Sequence, residues 1–397
     1  MHLAARVRPL PVALASMLGI LLWWTLAVTF TYEGRWNALY CNGSAAHFPA
    51  WLEDREPLYR APSPAGYDGQ WYHLLAHRPL EFRQSAQYMD WPKLRCQRLL
   101  FPLVVWLLAF GQFNLVDPAY FTLMLLSLGA GVYWTARLAE LRGASPLWGL
   151  VFLLMPGPIS SIDRMLLDGP LLAAAAGLFY FLETGRPRAA WTLAMLAPFF
   201  RETGLLLTAA GCAVWLLRRD AKRFAAWVLA AVPFLLWMHE VRDLHGGASY
   251  AWLGWFANFV RALGREAAYP YPSPWLELLQ WFDRAAMAGF LCALGFAVHL
   301  FMRWWRADGT SRTAVAWTAG LFAAAALVLA HLEPAHVWDE AYAYGRVCSP
   351  MWFALLLGGL EQRRLAAPLA VLAPVAARMG LHLASPAWRA LRGLTGV

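Results

Sequence analysis

Leu99-Leu100-Phe101-Pro102-Leu103-Val104-Val105-Trp106-Leu107-Leu108-Ala109-Phe110-Gly111 is apolar throughout but only about 13 residues long, below the roughly 17–25 residues an α-helix needs to cross a bilayer. The reading of this segment decides the fold, because every later charge cluster changes side with it. If it crosses, Arg137/Arg142, Arg186/Arg188 and the run Arg218-Arg219-Asp220-Ala221-Lys222-Arg223 all fall outside. If 99–112 is instead interfacial or re-entrant, those clusters fall inside with Arg6/Arg8, Arg303/Arg306/Arg312 and Arg363/Arg364. Only the second arrangement keeps the basic residues on one side at every turn, as the positive-inside rule requires.

The composition agrees with a membrane setting. Of 397 residues, 60% are hydrophobic and only 14% charged, against about 25% charged in soluble domains; mean hydropathy is +0.44. The net charge of +9 does not point to nucleic acid, because the basic residues cluster in short gaps between apolar runs. The expected fold is all-α: one membrane domain over 1–397, a bundle of about ten spans. Candidate spans lie near 10–30, 118–137, 146–162, 167–183, 188–200, 203–218, 223–241, 284–303, 313–332 and 347–360, with a weaker stretch at 366–384 that is either interfacial or a last span. The run after Arg6 and Arg8 is too long for a typical signal peptide and reads as an uncleaved first span. No internal repeat of the kind transporters carry is found.

This topology puts a polar loop of 31–98 outside, directly after the first span, together with outer loops at 242–283 and 333–346. The first loop contains Tyr67-Asp68-Gly69-Gln70-Trp71-Tyr72. Asp68 is a carboxylate framed by aromatic residues, which favour the lipid–water boundary; it can serve as a general base or simply stand in loop water. Asp163, Arg164 and Asp168 cap a hairpin whose Pro156-Gly157-Pro158 is built to bend. Arg201-Glu202 is an isolated charge pair between two short spans, suited either to a solvated turn or to phosphate, which the planar guanidinium reaches with two donors. Lys93, Arg95 and Arg98 bind either a lipid phosphate or anionic lipid in general. Tyr269-Pro270-Tyr271-Pro272-Ser273-Pro274-Trp275 is a rigid aromatic loop, and His336, Asp339, Glu340, Tyr342, Tyr344 and Arg346 form a last polar group. Cys41 and Cys96 share the first loop and either pair or are unrelated thiols. Asn42-Gly43-Ser44 matches a glycosylation sequon too short to carry weight. No Cys/His cluster with metal-ligand spacing is read, so no metal ligand is assigned and no cofactor is expected.

The order of these features resembles the GT-C superfamily of integral-membrane glycosyltransferases: one span, a large outer loop with Tyr67-Asp68-Gly69-Gln70-Trp71-Tyr72, then Gln97-Arg98-Leu99-Leu100-Phe101-Pro102-Leu103, then a bundle with an Arg201-Glu202-Thr203-Gly204 turn. It looks closest to bacterial members tied to cell-surface glycopolymer formation. The resemblance implies an inverting enzyme of the bacterial cytoplasmic membrane, active on its outer face. The sugar donor would be a polyprenyl-phosphate sugar, and the acceptor a cell-surface glycan, lipid or protein. Asp68 would be the base, with Arg201, Arg98 and Arg346 on the donor phosphate and Tyr67, Gln70, Trp71, Tyr72, Asp163, Asp168 and Glu202 in support. Relatives often carry two adjacent acids in the first loop; here Gly69 follows Asp68, so a metal is not indicated and Asp163 or Asp168 would have to supply any second carboxylate for one. Two rivals are a flippase of lipid-linked sugars, which would place charges near mid-membrane, and a membrane acyltransferase using His73 or His77.

Overall fold

The computed structural model describes residues 7–245, 260, 276–306, 311–332, 335–338 and 341–395. Among them helix is the only regular structure apart from one isolated bridge between Gly43 and Ala61. The helices that build the bundle and the site are α1 (Pro9–Thr31), α2 (Gly69–His77), α3 (Leu100–Leu108), α4 (Val116–Leu141), α5 (Pro156–Arg164), α6 (Asp168–Glu183), α7 (Pro187–Phe200), α8 (Gly204–Leu217), α9 (Ala221–Glu240), α10 (Leu276–Trp305), α11 (Ser311–Leu332), α12 (Ala341–Val347), α13 (Ser349–Gln362) and α14 (Ala366–Thr395).

Five helices among the described residues are long and apolar enough to cross a membrane: α1, the Phe113–Leu141 stretch containing α4, α9, α10 and α14. α1 shows how such a helix is built. Pro9 opens it with φ already fixed. Leu10, Leu14, Leu18 and Leu22, four residues apart, are all more than half exposed, while Ile20, Trp24 and Val28 are buried. A helix that is apolar on both its buried and its exposed face belongs in lipid. The buried Trp24 indole is satisfied by donating to the Ile162 carbonyl at 2.8 Å.

Two helices form the dry centre. α6 is buried from Asp168 to Tyr180 and α13 from Ser349 to Leu360. α4 packs on α6 and α1, α10 on α14, and α11 on α8 and α13. The hairpin between α7 and α8 is tight because Gly204 lies against the Ala197 backbone, where a Cβ would come within 2.3 Å of the Ala197 carbonyl carbon.

Several expected boundaries move. The run 146–162 is not one helix: a 3-10 stretch, Pro146–Leu154, ends at an extended Met155 and α5 starts afresh at Pro156. Proline forces its predecessor out of helical backbone and opens the next helix. The stretch at 366–384 continues to Thr395 as α14. Residues 276–283, assigned to an outer loop, already belong to α10, and Arg346, assigned to another, lies in α12. α6, α7, α8 and α13 have 14–16 residues each. Among the described residues, five helices have the length and composition of full spans. The aromatic-proline loop Tyr269–Trp275, together with Asp339 and Glu340, lies outside the described residues.

α3 has nine residues, roughly 13 Å of helix, and is too short to cross a hydrocarbon layer of about 30 Å. Phe110 and Gly111 end it with φ of 52° and 66°. Its Phe101, Val105 and Ala109 are fully buried while Leu107 and Phe110 are 56% and 82% exposed.

The loop between α1 and α3 is a compact unit. Its own apolar cluster contains Phe48, Leu52, Trp71, Leu74, Leu75, Met89 and Cys96, and Val241 beyond α9 joins it. The Trp237 indole donates to the Cys96 carbonyl at 3.0 Å, fixing the loop to α9. Cys41 and Cys96 are not bonded to each other. Asn42 is fully buried and donates to the Asn37 and Tyr59 carbonyls, which removes it from any surface modification.

Candidate functional site

α2 carries the loop's Asp68 into contact with the bundle. Asp68 immediately precedes α2, and Gly69 opens it. A Cβ at Gly69 would sit 2.3 Å from the Arg164 carbonyl oxygen, so only glycine lets the start of α2 press against the end of α5. The hexapeptide then divides by helical phase. Gln70 braces the loop, donating to the Ala65 carbonyl at 2.8 Å and accepting from the Gly43 amide at 2.9 Å. Trp71 is buried beside Phe48. Tyr72 turns to the bundle, where its hydroxyl accepts from Arg98. Gln70 and Trp71 thus build the loop rather than line the site.

Four arginines from three parts of the chain converge on three acids. Arg95 approaches Asp68 at 2.9 Å, Arg98 at 3.5 Å and Arg346 at 3.8 Å. Arg346 also stands 3.7 Å from Asp168, which pairs with Arg201. Arg98 donates through two nitrogens to the two oxygens of Glu202, at 2.7 and 2.8 Å, and Asp90 holds Arg95 in the same forked way. Asp68, Asp168, Glu202, Arg98, Arg201 and Arg346, separated by up to 278 positions in sequence, form one network. Arg95 joins them as a direct partner of Asp68.

This network is well buried. Arg98, Arg201 and Asp168 are 4%, 7% and 6% exposed. Burial alone would raise the Asp68 carboxyl, but Arg95, Arg346, Arg98 and Arg201, in that order, outweigh it and hold it well below the usual carboxylate range. Donor capacity is left over: Arg346 Nε and one terminal nitrogen, and Arg201 Nε, make no hydrogen bond. Both residues line a narrow cleft together with Asp168, Thr203, Ser349, Leu171, Leu172 and Phe322. Such a cleft sets two guanidinium groups beside leucine and phenylalanine side chains.

Asp163 stands in an adjoining cage rather than in this network. It accepts from Tyr342 at 3.2 Å and from Arg164 at 3.1 Å. The Arg164 guanidinium lies 4.3 Å from both the Tyr67 and Tyr342 rings, and Arg346 also stacks over Tyr67 at 5.1 Å. Tyr67 therefore joins the two groups. The cage's Tyr342 was seen in sequence only as part of a polar loop.

One further cluster, which Glu56 and Asp117 complete, gathers around His73 and His77. His73 and His77 are i, i+4 on α2 and so share a face, a spacing visible in the sequence. Their Nε2 atoms are 3.1 Å apart. Glu56 lies 3.4 Å from His73 and 3.7 Å from His77, and Asp117 lies 3.0 Å from His73. The pair is clamped among carboxylates, and the Tyr40 ring stacks on His73.

Compared with family models, with curated proteins and with solved structures, the chain finds no match.

Proposed function

We propose that this all-α membrane protein is a glycosyltransferase that takes a sugar from a polyprenyl-phosphate donor, in the manner of the GT-C enzymes it resembles. The observation that carries the reading is the buried arginine group, Arg98, Arg201 and Arg346, with nitrogens of Arg201 and Arg346 that make no hydrogen bond, at a cleft that Leu171, Leu172 and Phe322 also line. A lipid phosphate needs both elements at once: planar cationic donors for its oxygens and an apolar surface for its chain.

In this reading Arg201 and Arg346 bind the donor phosphate and Arg98 assists. The acceptor hydroxyl attacks the anomeric carbon from the side opposite the phosphate, and the configuration inverts. The carbon–oxygen bond to the phosphate breaks and its electron pair stays on the phosphate, where the arginines stabilise the added charge. Asp68 takes the acceptor's proton. In the resting site Asp68 is a weak base, because its arginines favour the ionised form. A bound phosphate competes for Arg98 and Arg346, withdraws positive charge from Asp68 and raises its basicity when the donor is in place. Tyr67 and Tyr72 orient the arginines through ring and hydroxyl contacts.

The enzyme is placed in the bacterial cytoplasmic membrane with this site on the extracytoplasmic face, about ten membrane-crossing or partly crossing segments, and α3 lying in the interface. The charge distribution in sequence supports that orientation. Its partners are the lipid-linked sugar, a cell-surface glycan, lipid or protein acceptor, and the surrounding lipids. The flippase reading has less support, since the charges gather in one network rather than along a path. The test is incubation of the purified protein with a panel of polyprenyl-phosphate sugars and candidate acceptors, scoring release of polyprenyl phosphate. Absence of release across the panel by a folded protein overturns the proposal.

A further inference from the structure

The cluster around His73 lies on a different face of α2 from the arginine network, and the glycosyl-transfer reading makes no use of it. Four side chains from three separated stretches meet there: Glu56 from the early loop, His73 and His77 from α2, and Asp117 from the first turn of α4. Both histidines are buried, at 0% and 8% exposure. Glu56, His73 and His77 each bring a ligand atom within 4.8 Å of the others.

A hydrogen-bonding account of this cluster is poor. His73 Nε2 faces three acceptors or donors at once: Asp117 at 3.0 Å, the His77 Nε2 at 3.1 Å and Glu56 at 3.4 Å. A ring nitrogen carries at most one hydrogen, which cannot serve all three. A shared cation can. Four ligands at about 2.05 Å in a tetrahedron stand roughly 3.3 Å from one another. Among Glu56, His73 and His77 the separations are 3.1, 3.4 and 3.7 Å, close to that value, and Asp117 stands 3.0 Å from His73.

The surroundings also suit a metal. The Asn37 amide donates to the other Glu56 oxygen at 2.8 Å, and the Tyr40 hydroxyl donates to Asp117 at 2.7 Å. Ligating carboxylates are commonly held by such outer partners. Tyr40 stacks on the His73 ring at 4.1 Å, which fixes its plane. Two imidazoles and two carboxylates are a borderline donor set that suits zinc and neighbouring divalent ions better than calcium or magnesium, which prefer oxygen alone. A path exists as well: His77 lines a cleft with Trp51, Arg55, Arg78 and Phe113.

We infer that Glu56, His73 and His77, with Asp117 beside His73, form a binding site for a divalent transition-metal ion, zinc by preference, that ties α2 and the first loop to the start of α4. It acts on the arginine network only by position, since His73 follows Tyr72 directly and Asp68 precedes the same helix. The inference does not depend on the glycosyltransferase reading.

The experiment measures metal directly. Tag-free protein is purified in detergent, stripped with chelator, reconstituted with zinc or cobalt and assayed for bound metal by mass spectrometry. The expected result is about one ion per chain, a higher thermal midpoint on zinc addition, and cobalt absorption bands of tetrahedral intensity. His77→Gln and Glu56→Gln should each weaken zinc binding by at least the roughly 10–100-fold that loss of an outer partner costs. Each variant is first tested for a cooperative melt, and the variant that folds is the one scored. Wild-type protein that retains no zinc, cobalt, manganese or nickel and shows no thermal shift overturns the inference, as does zinc binding of equal strength in a folded variant.

Discussion

The Arg95 guanidinium stands 2.9 Å from the Asp68 carboxylate, so the proposed base is masked by a cation until something else draws positive charge away. Burial without that cation would have raised the carboxyl; with it, and with Arg346, Arg98 and Arg201 behind it, the carboxyl lies well below its ordinary range. This arrangement makes the acid's role separable from its fold contribution by experiment.

Asp68→Asn keeps the shape and removes the proton acceptor. Turnover should fall by about 10²–10⁴, while donor affinity, carried by Arg201 and Arg346, changes only a few-fold. Single-turnover kinetics and donor binding on the same preparation separate the two. Near-full turnover in a folded Asp68→Asn protein moves the base to Asp163, Asp168 or Glu202.

The depressed Asp68 pKa also fixes a sign for stability. A carboxyl ionised more readily in the folded state than at its ordinary value of 3.8 contributes stability that is present above that value and lost as pH falls below it. The gap in thermal midpoint between wild type and Asp68→Asn should therefore be flat from about pH 5 to pH 7 and close below about pH 4. A gap unchanged down to the most acidic condition the detergent tolerates would mean that the arginines do not favour the charged form.

Arg346 and Arg201 should behave differently when removed. Arg201 is a direct partner of buried Asp168, and breaking a buried pair costs about 3–5 kcal/mol; Arg201→Ala should unfold well below wild type. Arg346 keeps two nitrogens without hydrogen bonds and stands 3.7 Å or more from its acids. Arg346→Gln should melt close to wild type yet bind donor about tenfold more weakly, roughly 1.4 kcal/mol. Unchanged donor affinity in that variant would remove the phosphate role from Arg346.

Gly69→Ala is a test of how the loop docks. The added methyl meets the Arg164 carbonyl at 2.3 Å, so α2 must move away from α5. The expected cost is about 1–3 kcal/mol, as for other overpacked sites, read as a lower midpoint in thermal or denaturant unfolding. Wild-type stability would show that the two elements do not press on each other.

What could be read from sequence follows from where the information is local. Helix positions came from long apolar runs, and the isolated Arg201-Glu202 pair was visible because no other charge lies near it in the chain. Boundaries set by single residues were harder. Met155 breaks 146–162 because Pro156 follows it, yet the surrounding run is apolar enough to pass for one span. Tyr67 to Tyr72 read as one functional block, but α2's helical phase sends Trp71, Tyr72 and His73 to three different environments. Pairings such as Arg98 with Glu202, 104 positions apart, leave no local trace. The His73–His77 spacing did leave one; what it lacked was Asp117 and Glu56, which only the fold brings near.

α6 has a consequence for the lipid around it. One end carries Asp168, paired with Arg201; the other carries Glu183, 2.8 Å from Arg142. Its 16 residues measure about 24 Å, while the hydrocarbon layer is about 30 Å thick. With α6 set across the bilayer, as the proposed topology has it, both charge pairs cannot sit at the level of the glycerol groups, and at least one is sunk beneath it. Such a mismatch is met by a locally thinner bilayer or by water drawn into the protein. Either response shortens the descent that an anionic head group must make to reach the arginines, without requiring the lipid to leave its leaflet.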